Sequence, residues 1–137
     1  TLADTVLEGG GKVTGVIPEN LVSREISHPG LSELVVVDSM HERKSMMADL
    51  SDGFIALPGG IGTMEELFEI LTWSHLGIHK KPCGLLNVVG YYDHLNAFTQ
   101  HGVNQGFIKK ETEAKLIIKE DPKALLDLFR KIKMLSV

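Results

Sequence analysis

The chain has 137 residues, 43% of them hydrophobic and 23% charged, a composition typical of a globular domain with its own core. Its 14 basic and 18 acidic residues give a formal net charge of −4, which argues against a general nucleic-acid binder, because such proteins usually carry a basic face. No apolar run reaches the roughly 18 residues that a membrane span needs, so we expect one domain over residues 1–137, with neither nucleic acid nor membrane as a partner.

Five short runs rich in Val, Ile or Leu predict buried strands. They are Lys12–Ile17, Glu33–Asp38, Gly53–Leu57, Cys83–Val88 and Lys115–Lys119. The stretches Val35–Val37 and Phe54–Leu57 are continuously apolar rather than alternating. That pattern is typical of parallel strands that are covered on both faces.

Helical patterns surround these strands. They are Thr1–Glu8, Met40–Leu50, the stripe of Met64, Leu67, Phe68 and Leu71, Tyr91–Val103, and a last helix with Asp121 as N-cap and Pro122 as first residue. The alternation of strand and helix predicts an α/β fold, a doubly wound, Rossmann-like parallel sheet with helices on both faces.

The only cysteine, Cys83, excludes an internal disulfide and a multi-cysteine metal cluster. It lies in the apolar run Cys83–Leu86, which favours a small buried core residue. The sequence also lacks a basic-then-apolar signal peptide. Together these features predict a reducing, cytoplasmic setting.

Ligands of a parallel sheet bind at the carboxyl ends of its strands. Four segments follow strands there: Pro18–Ser32, Ser39–Lys44, Pro58–Thr63 and Val89–Tyr92. The first contains the longest irregular stretch, and a loop of that length is more often functional than idle. The first three carry unusual residues, and we expect the chemistry there.

The segment Pro58–Thr63 reads P-G-G-I-G-T and links a predicted strand to a predicted helix. Its three glycines allow close approach of a ligand and positive φ, and the helix N-terminus that follows suits a phosphate. A tight turn with nothing bound explains such a segment about equally well. The pattern is neither the dinucleotide-binding G-x-G-x-x-G nor a Walker P-loop.

Glu65 and Glu66 fall in the predicted first turn of that helix. Thr63-Met64-Glu65-Glu66 matches a capping box, in which Thr63 caps the helix and Glu66 accepts from the Thr63 N–H. On the pattern alone, capping is favoured over catalysis. A carboxylate beside a phosphate site can also orient water or stabilise an oxocarbenium-like sugar.

Arg43 and Lys44 lie near the start of a predicted helix, where the helix dipole disfavours cations. Most such pairs are solvated surface residues, but this pair follows a strand at the ligand edge. That position favours a role with an anion, since a guanidinium fits phosphate or ribose oxygens. His75 and His79 are the one histidine pair at i, i+4 spacing, no H-E-x-x-H frame surrounds them, and we expect no metal.

Met40–Lys44 and Pro58–Glu66 resemble the LOG (Lonely Guy) family, whose members are cytokinin riboside 5′-monophosphate phosphoribohydrolases with the older label of lysine decarboxylase. The family's M-H-x-R-K block and P-G-G-x-G-T-x-x-E signature are both present, and Thr72–His79 and Gly84–Tyr92 resemble the family as well. The resemblance implies hydrolysis of the N-glycosidic bond of a nucleoside 5′-monophosphate, AMP or a cytokinin riboside monophosphate. The products would be a free base and ribose 5-phosphate, with no cofactor, in a homodimer.

The resemblance also assigns roles to residues. Arg43 and Glu66 would be the catalytic pair. The substrate would be held by Glu25, Lys44, Gly59, Gly60, Ile61, Gly62, Thr63, Met64, Glu65 and Thr72. Family members begin with a further strand, Gly-rich turn and helix before Val13–Ile17, so we expect this chain to lack an N-terminal segment and to be weak or inactive without it.

Two other functions fit parts of the sequence. A lysine decarboxylase would need a lysine that binds pyridoxal phosphate and a much larger chain. No lysine here lies in a sequence pattern that indicates such a site, so we reject this function. A non-catalytic nucleotide or cofactor carrier could use the same glycine-rich segment. A carrier has no need of a carboxylate near a phosphate, so the expected pairing of Arg43 with Glu66 favours the hydrolase.

Overall fold

The computed structural model describes residues 2–22 and 30–135, and the chain divides into two compact units between Ser51 and Asp52. The first unit contains α1 (Leu2–Glu8), β1 (Thr14–Pro18), α2 (Glu19–Val22), β2 (Glu33–Val37) and α3 (Met40–Leu50). The second contains β3 (Phe54–Ala56), α4 (Ile61–His75), β4 (Cys83–Leu86), α5 (Asp93–Asn104), α6 (Lys110–Glu113), β5 (Leu116–Lys119) and α7 (Pro122–Leu135).

In the first unit, β1 pairs in parallel with β2, from Thr14 opposite Glu33 to Pro18 opposite Val37. Helix α3 follows β2 over the bounds that its sequence pattern predicts, Met40–Leu50. Its buried residue is Ala48, whereas the apolar residues Met47 and Leu50 are 37% and 59% exposed. The pattern therefore predicts the bounds of this helix correctly.

In the second unit, β3, β4 and β5 are neighbours in that order, and both pairs are parallel. Cys83 and Leu85 of β4 form a buried core cluster with Leu67 and Leu71 of α4 and with Tyr92. Phe68, which the apolar pattern of α4 places on the core-facing side, is 39% exposed.

The opposite face of β4 is covered by α7. Gly84 points there because successive strand residues alternate between faces, and a Cβ at Gly84 would lie 2.8 Å from Leu125 and 3.0 Å from Phe129. The absence of a side chain at Gly84 lets α7 approach the sheet closely. Parallel strands with helices on both faces confirm the predicted fold class.

All five predicted strands are present, with bounds that differ from the prediction by up to two residues. The N-cap of α7 is also confirmed, since the Asp121 carboxylate accepts from the Ala124 N–H at 2.8 Å. The short helices α2 and α6 and a 3₁₀ turn at Val88–Gly90 are not predicted.

In the described part of the chain, no helix has both the length and the apolar character needed to cross a bilayer. That the whole chain forms one domain stays a prediction.

Cys83 is 1% exposed, as expected of a core residue. Burial raises the pKa of its thiol from 9.0 to about 11, and the nearby Lys115 offsets only part of that rise. Because the thiolate is the reactive form, the thiol is chemically quiet near neutral pH.

We expect iodoacetamide to alkylate Cys83 in the folded protein far more slowly than in denaturant at about pH 8. The free energy of unfolding should lose a component as the pH rises from 9.0 to about 11, because the thiol gives up its proton first in the unfolded chain. Cys83→Ala should remove that component in denaturant titrations across this range. Equal alkylation rates in the folded and unfolded protein would contradict the assignment.

Candidate functional site

The candidate residues are divided between the two units. Arg43 and Lys44 lie in α3 of the first unit, and Gly59–Glu66 and Thr72 lie in the second. Glu25 lies outside the described residues. The two groups are therefore described one after the other, and the pairing of Arg43 with Glu66 stays a prediction.

The start of α3 is fixed by a capping motif. The Ser39 hydroxyl accepts from the Glu42 N–H at 3.1 Å, and the Glu42 carboxylate accepts from the Asp38 N–H at 2.8 Å. Ser39 thus caps its helix as the sequence pattern assigned to Thr63, whereas the Glu42 carboxylate accepts from the residue before the cap. Arg43 and Lys44 follow this motif directly and are half-buried, and the Nε of Arg43 lies out of contact with solvent.

Helix α4 begins earlier than predicted, at Ile61 with Gly60 as N-cap. Thr63 is therefore the third residue of the helix and Glu66 the sixth, so the predicted capping box is wrong, and both glutamates leave the predicted first turn. Glycine has no side chain to accept from the first-turn N–H groups, which also lack acceptors within the helix. Among the described α-helices, α4 is the one that begins with neither a side-chain cap nor an acidic residue in its first turn.

The three glycines of this segment have different reasons to be glycine. None of the three has a positive φ, because within residues 2–22 and 30–135 the glycines with positive φ lie elsewhere in the chain. The expectation that this segment uses positive φ is therefore wrong. A Cβ on Gly59 would overlap the Thr63 hydroxyl. A Cβ on Gly60 or Gly62 would meet no described atom within 4 Å. The fold thus demands glycine at 59, while 60 and 62 face open space in front of the helix.

Two tyrosines that follow β4, Tyr91 and Tyr92, donate hydrogen bonds to this segment. The Tyr91 hydroxyl donates to the Gly59 carbonyl at 2.7 Å, and the Tyr92 hydroxyl donates to the Leu57 carbonyl at 2.5 Å. The rings pack edge to face with centroids 5.0 Å apart. Burial, with a smaller effect of Tyr91, raises the pKa of Tyr92, so its hydroxyl keeps its proton and donates at neutral pH.

The parallel pairing of β3 with β4 accounts for this contact, since it places the segments that follow the two strands side by side. The sequence predicts that shared edge but gives Tyr91 and Tyr92 no role there. Their position could have indicated this role, because they are two adjacent tyrosines that follow the end of a strand at the ligand edge of the sheet.

Thr72 lies farther along α4, on the same helix face as Glu65 two turns earlier. Its hydroxyl donates to the Phe68 carbonyl at 2.7 Å. It lines a mainly apolar cavity of about 210 Å³ together with Leu71 and Ile108. Since Thr72 is about 14 Å along the helix axis from Thr63, a ligand that contacts both must extend along α4.

The histidine pair has backbone and side-chain partners. The His79 Nε2 is 2.9 Å from the Ile70 carbonyl, and its Nδ1 accepts from the Lys81 N–H at 3.1 Å. The His75 Nδ1 lies 2.8 Å from the Thr112 hydroxyl. Helix α4 ends at His75, so the two imidazoles do not share a helix face. Over the described residues, His, Cys, Asp and Glu side chains form no group of three that could hold a metal ion.

Comparison with known proteins identifies the family. Residues 1–129 match the model of the family described as "possible lysine decarboxylase". The chain belongs to this family. The similarity spans nearly the whole chain and includes both Met40–Lys44 and Pro58–Glu66.

The chain is also similar to individual members that carry a more specific name. A cytokinin riboside 5′-monophosphate phosphoribohydrolase from Rhodococcoides fascians is 53% identical over 122 residues, covering 88% of this chain and 62% of the relative. A protein named as a probable enzyme of the same kind, from Oryza sativa subsp. japonica, is 59% identical over 110 residues, covering 80% of this chain and 49% of the relative. One from Arabidopsis thaliana is 48% identical over 123 residues, covering 90% and 57%. The LOG resemblance is thereby confirmed, and the chain spans about half to three-fifths of the length of these relatives.

We expect Gly62→Ala to keep or raise the melting temperature, because alanine favours a helix and its Cβ meets open space. The same methyl group should weaken binding of AMP and of inorganic phosphate about tenfold or more, because it fills the space through which a ligand reaches the helix start. Calorimetric titration and thermal unfolding measure the two effects. Gly59→Ala is the matched control: it should lower stability through its overlap with Thr63. Unchanged affinity in Gly62→Ala would show that no ligand closes on this surface.

Proposed function

We propose that the protein hydrolyses the N-glycosidic bond of a nucleoside 5′-monophosphate, AMP or a cytokinin riboside monophosphate, to the free base and ribose 5-phosphate. The observation that carries the proposal is the start of α4, where the N-cap Gly60 supplies no side-chain acceptor for the first-turn N–H groups and a Cβ on Gly60 or Gly62 would meet open space. Such a helix start suits a phosphate. The names of the relatives support this reaction rather than decarboxylation of lysine.

In this reaction water adds to C1′ of the ribose, and the base leaves with the electrons of the N-glycosidic bond and takes up a proton. Positive charge develops on the sugar as the bond breaks, so a carboxylate beside C1′ stabilises the transition state or orients the water. Glu66 is the residue we assign to this role. Glu66 is not part of a capping box, because Gly60 is the N-cap of α4 and Glu66 is the sixth residue of the helix.

The remaining substrate contacts follow from the same assignment. Arg43 would be the catalytic partner of Glu66, with its guanidinium on ribose or phosphate oxygens. Lys44, Glu25 and Thr72 would bind other parts of the substrate. The segment Gly59–Glu65 would hold the phosphate through the N–H groups of Gly60–Thr63, since the Met64 N–H already donates to the Gly60 carbonyl.

We further propose a cytoplasmic homodimer. Several large apolar side chains of the second unit are well exposed, among them Leu76 at 66%, Ile78 at 65% and Phe107 at 90%, which is typical of surfaces that bind a partner. The buried Cys83 thiol fits a reducing compartment.

Glu66→Gln should lower the rate of base release from AMP by a factor of about 10² to 10⁴, because the amide cannot supply the negative charge. Nucleotide binding should persist, since the phosphate is held elsewhere. Chromatography of the released base and calorimetric titration with AMP measure the two quantities.

Glu69→Gln, one helical turn farther along α4, is the matched control and should retain turnover. Parallel assays with AMP and isopentenyladenosine monophosphate would reveal the base preference. If Glu66→Gln turns over AMP as fast as the unmutated protein, the assigned role is wrong. If the unmutated protein binds AMP without releasing base, a nucleotide carrier is the better description.

A further inference from the structure

The peptide between Gly59 and Gly60 can rotate more easily than its neighbours, because glycine flanks it on both sides. In a trans peptide the C=O and N–H point in opposite directions, and the described residues contain no cis peptide bond. The hydrogen bond from Tyr91 to the Gly59 carbonyl therefore also sets the direction of the Gly60 N–H, away from Tyr91.

Tyr91 donates this bond from a firm support. Its ring packs edge to face on Tyr92, which is 2% exposed. The backbone N–H of Tyr92 donates to the Asn87 side-chain carbonyl at 2.7 Å, and the Asn87 backbone N–H donates to the Lys119 carbonyl of β5 at 2.8 Å. The position of the Tyr91 hydroxyl is thus tied to the ends of β4 and β5.

We propose that Tyr91 is a positioning residue for the substrate phosphate. By holding the Gly59–Gly60 peptide in one orientation, it presents the Gly60 N–H to the anion in front of α4. The cost of ordering this peptide is met during folding rather than during binding, which raises affinity. The proposal rests on the proposed function, because it requires an anion at this helix start.

Tyr92 provides an internal comparison. Its hydroxyl holds the Leu57 carbonyl, which belongs to the Leu57–Pro58 peptide. Proline has no N–H, so fixing that peptide orients no donor. Tyr92 should therefore contribute to stability, whereas Tyr91 should contribute to anion binding.

The test is Tyr91→Phe, which keeps the ring and removes the hydroxyl. We expect the KM for AMP and the Kd for inorganic phosphate and ribose 5-phosphate to rise about tenfold, with kcat within about twofold. The Gly60 amide resonance should shift less on titration with inorganic phosphate than it does in the unmutated protein. The melting temperature should stay within a few degrees, because the ring is half-exposed and remains in place.

Tyr92→Phe is the control and should lower the melting temperature while leaving the Kd for phosphate within about twofold. An unchanged phosphate Kd in Tyr91→Phe, with turnover intact, would overturn the positioning role and leave the proposed function standing. Equal losses of phosphate affinity in the two variants would make the role of Tyr91 merely structural and overturn the proposal as well. If the unmutated protein neither binds phosphate nor releases base, the proposed function fails and this proposal fails with it.

Discussion

The candidate site of the second unit depends on the parallel pairing of β3 with β4. Phe54 lies opposite Cys83 and Ala56 opposite Leu85, so both strands end at the same edge. The segment after β3 contains Pro58, which has no N–H, and two successive glycines, whose backbone dihedral angles are only weakly restricted. The hydroxyl groups supplied from the end of β4 hold two carbonyls of this segment, those of Leu57 and Gly59.

The glycines separate what the fold requires from what a ligand requires. Gly59 is needed because Thr63 occupies the space of a side chain there, and Gly84 is needed because α7 does. Gly60 and Gly62 have negative-φ or helical backbones and open space beside them. Glycine costs conformational entropy in such places without improving packing. Under the proposed function, close approach of the substrate phosphate is a physical reason for glycine at these two positions.

The sequence predicts most of the fold because buried parallel strands are continuously apolar and the helices between them have periodic apolar positions. Phe54–Leu57 and Met64–Leu71 are of this kind. The capping box predicted at Thr63–Glu66 was wrong because the pattern alone does not show whether Thr63 precedes the helix or lies within it. The actual start lies at Ile61, and the two helical residues before Thr63, Ile61 and Gly62, include a glycine, which helix propensity disfavours. The contacts of Tyr91 and Tyr92 depend on strand register over separations of 32 and 35 residues, which no local pattern encodes.

The two helices that carry the expected catalytic residues begin in opposite ways. Helix α3 begins with a serine cap and a glutamate that together satisfy backbone N–H groups, as a stable helix on a protein surface should. Helix α4 begins with a bare glycine and no acid in its first turn. It thereby forgoes roughly a few tenths of a kcal/mol from a side-chain cap and about 0.3–1 kcal/mol from an acid at the positive end of the helix dipole. A side-chain cap would occupy the donors that an anion uses, and an acidic residue would repel that anion. The weaker helix start is thus the one suited to binding, and an anionic ligand would supply the cap that the sequence omits.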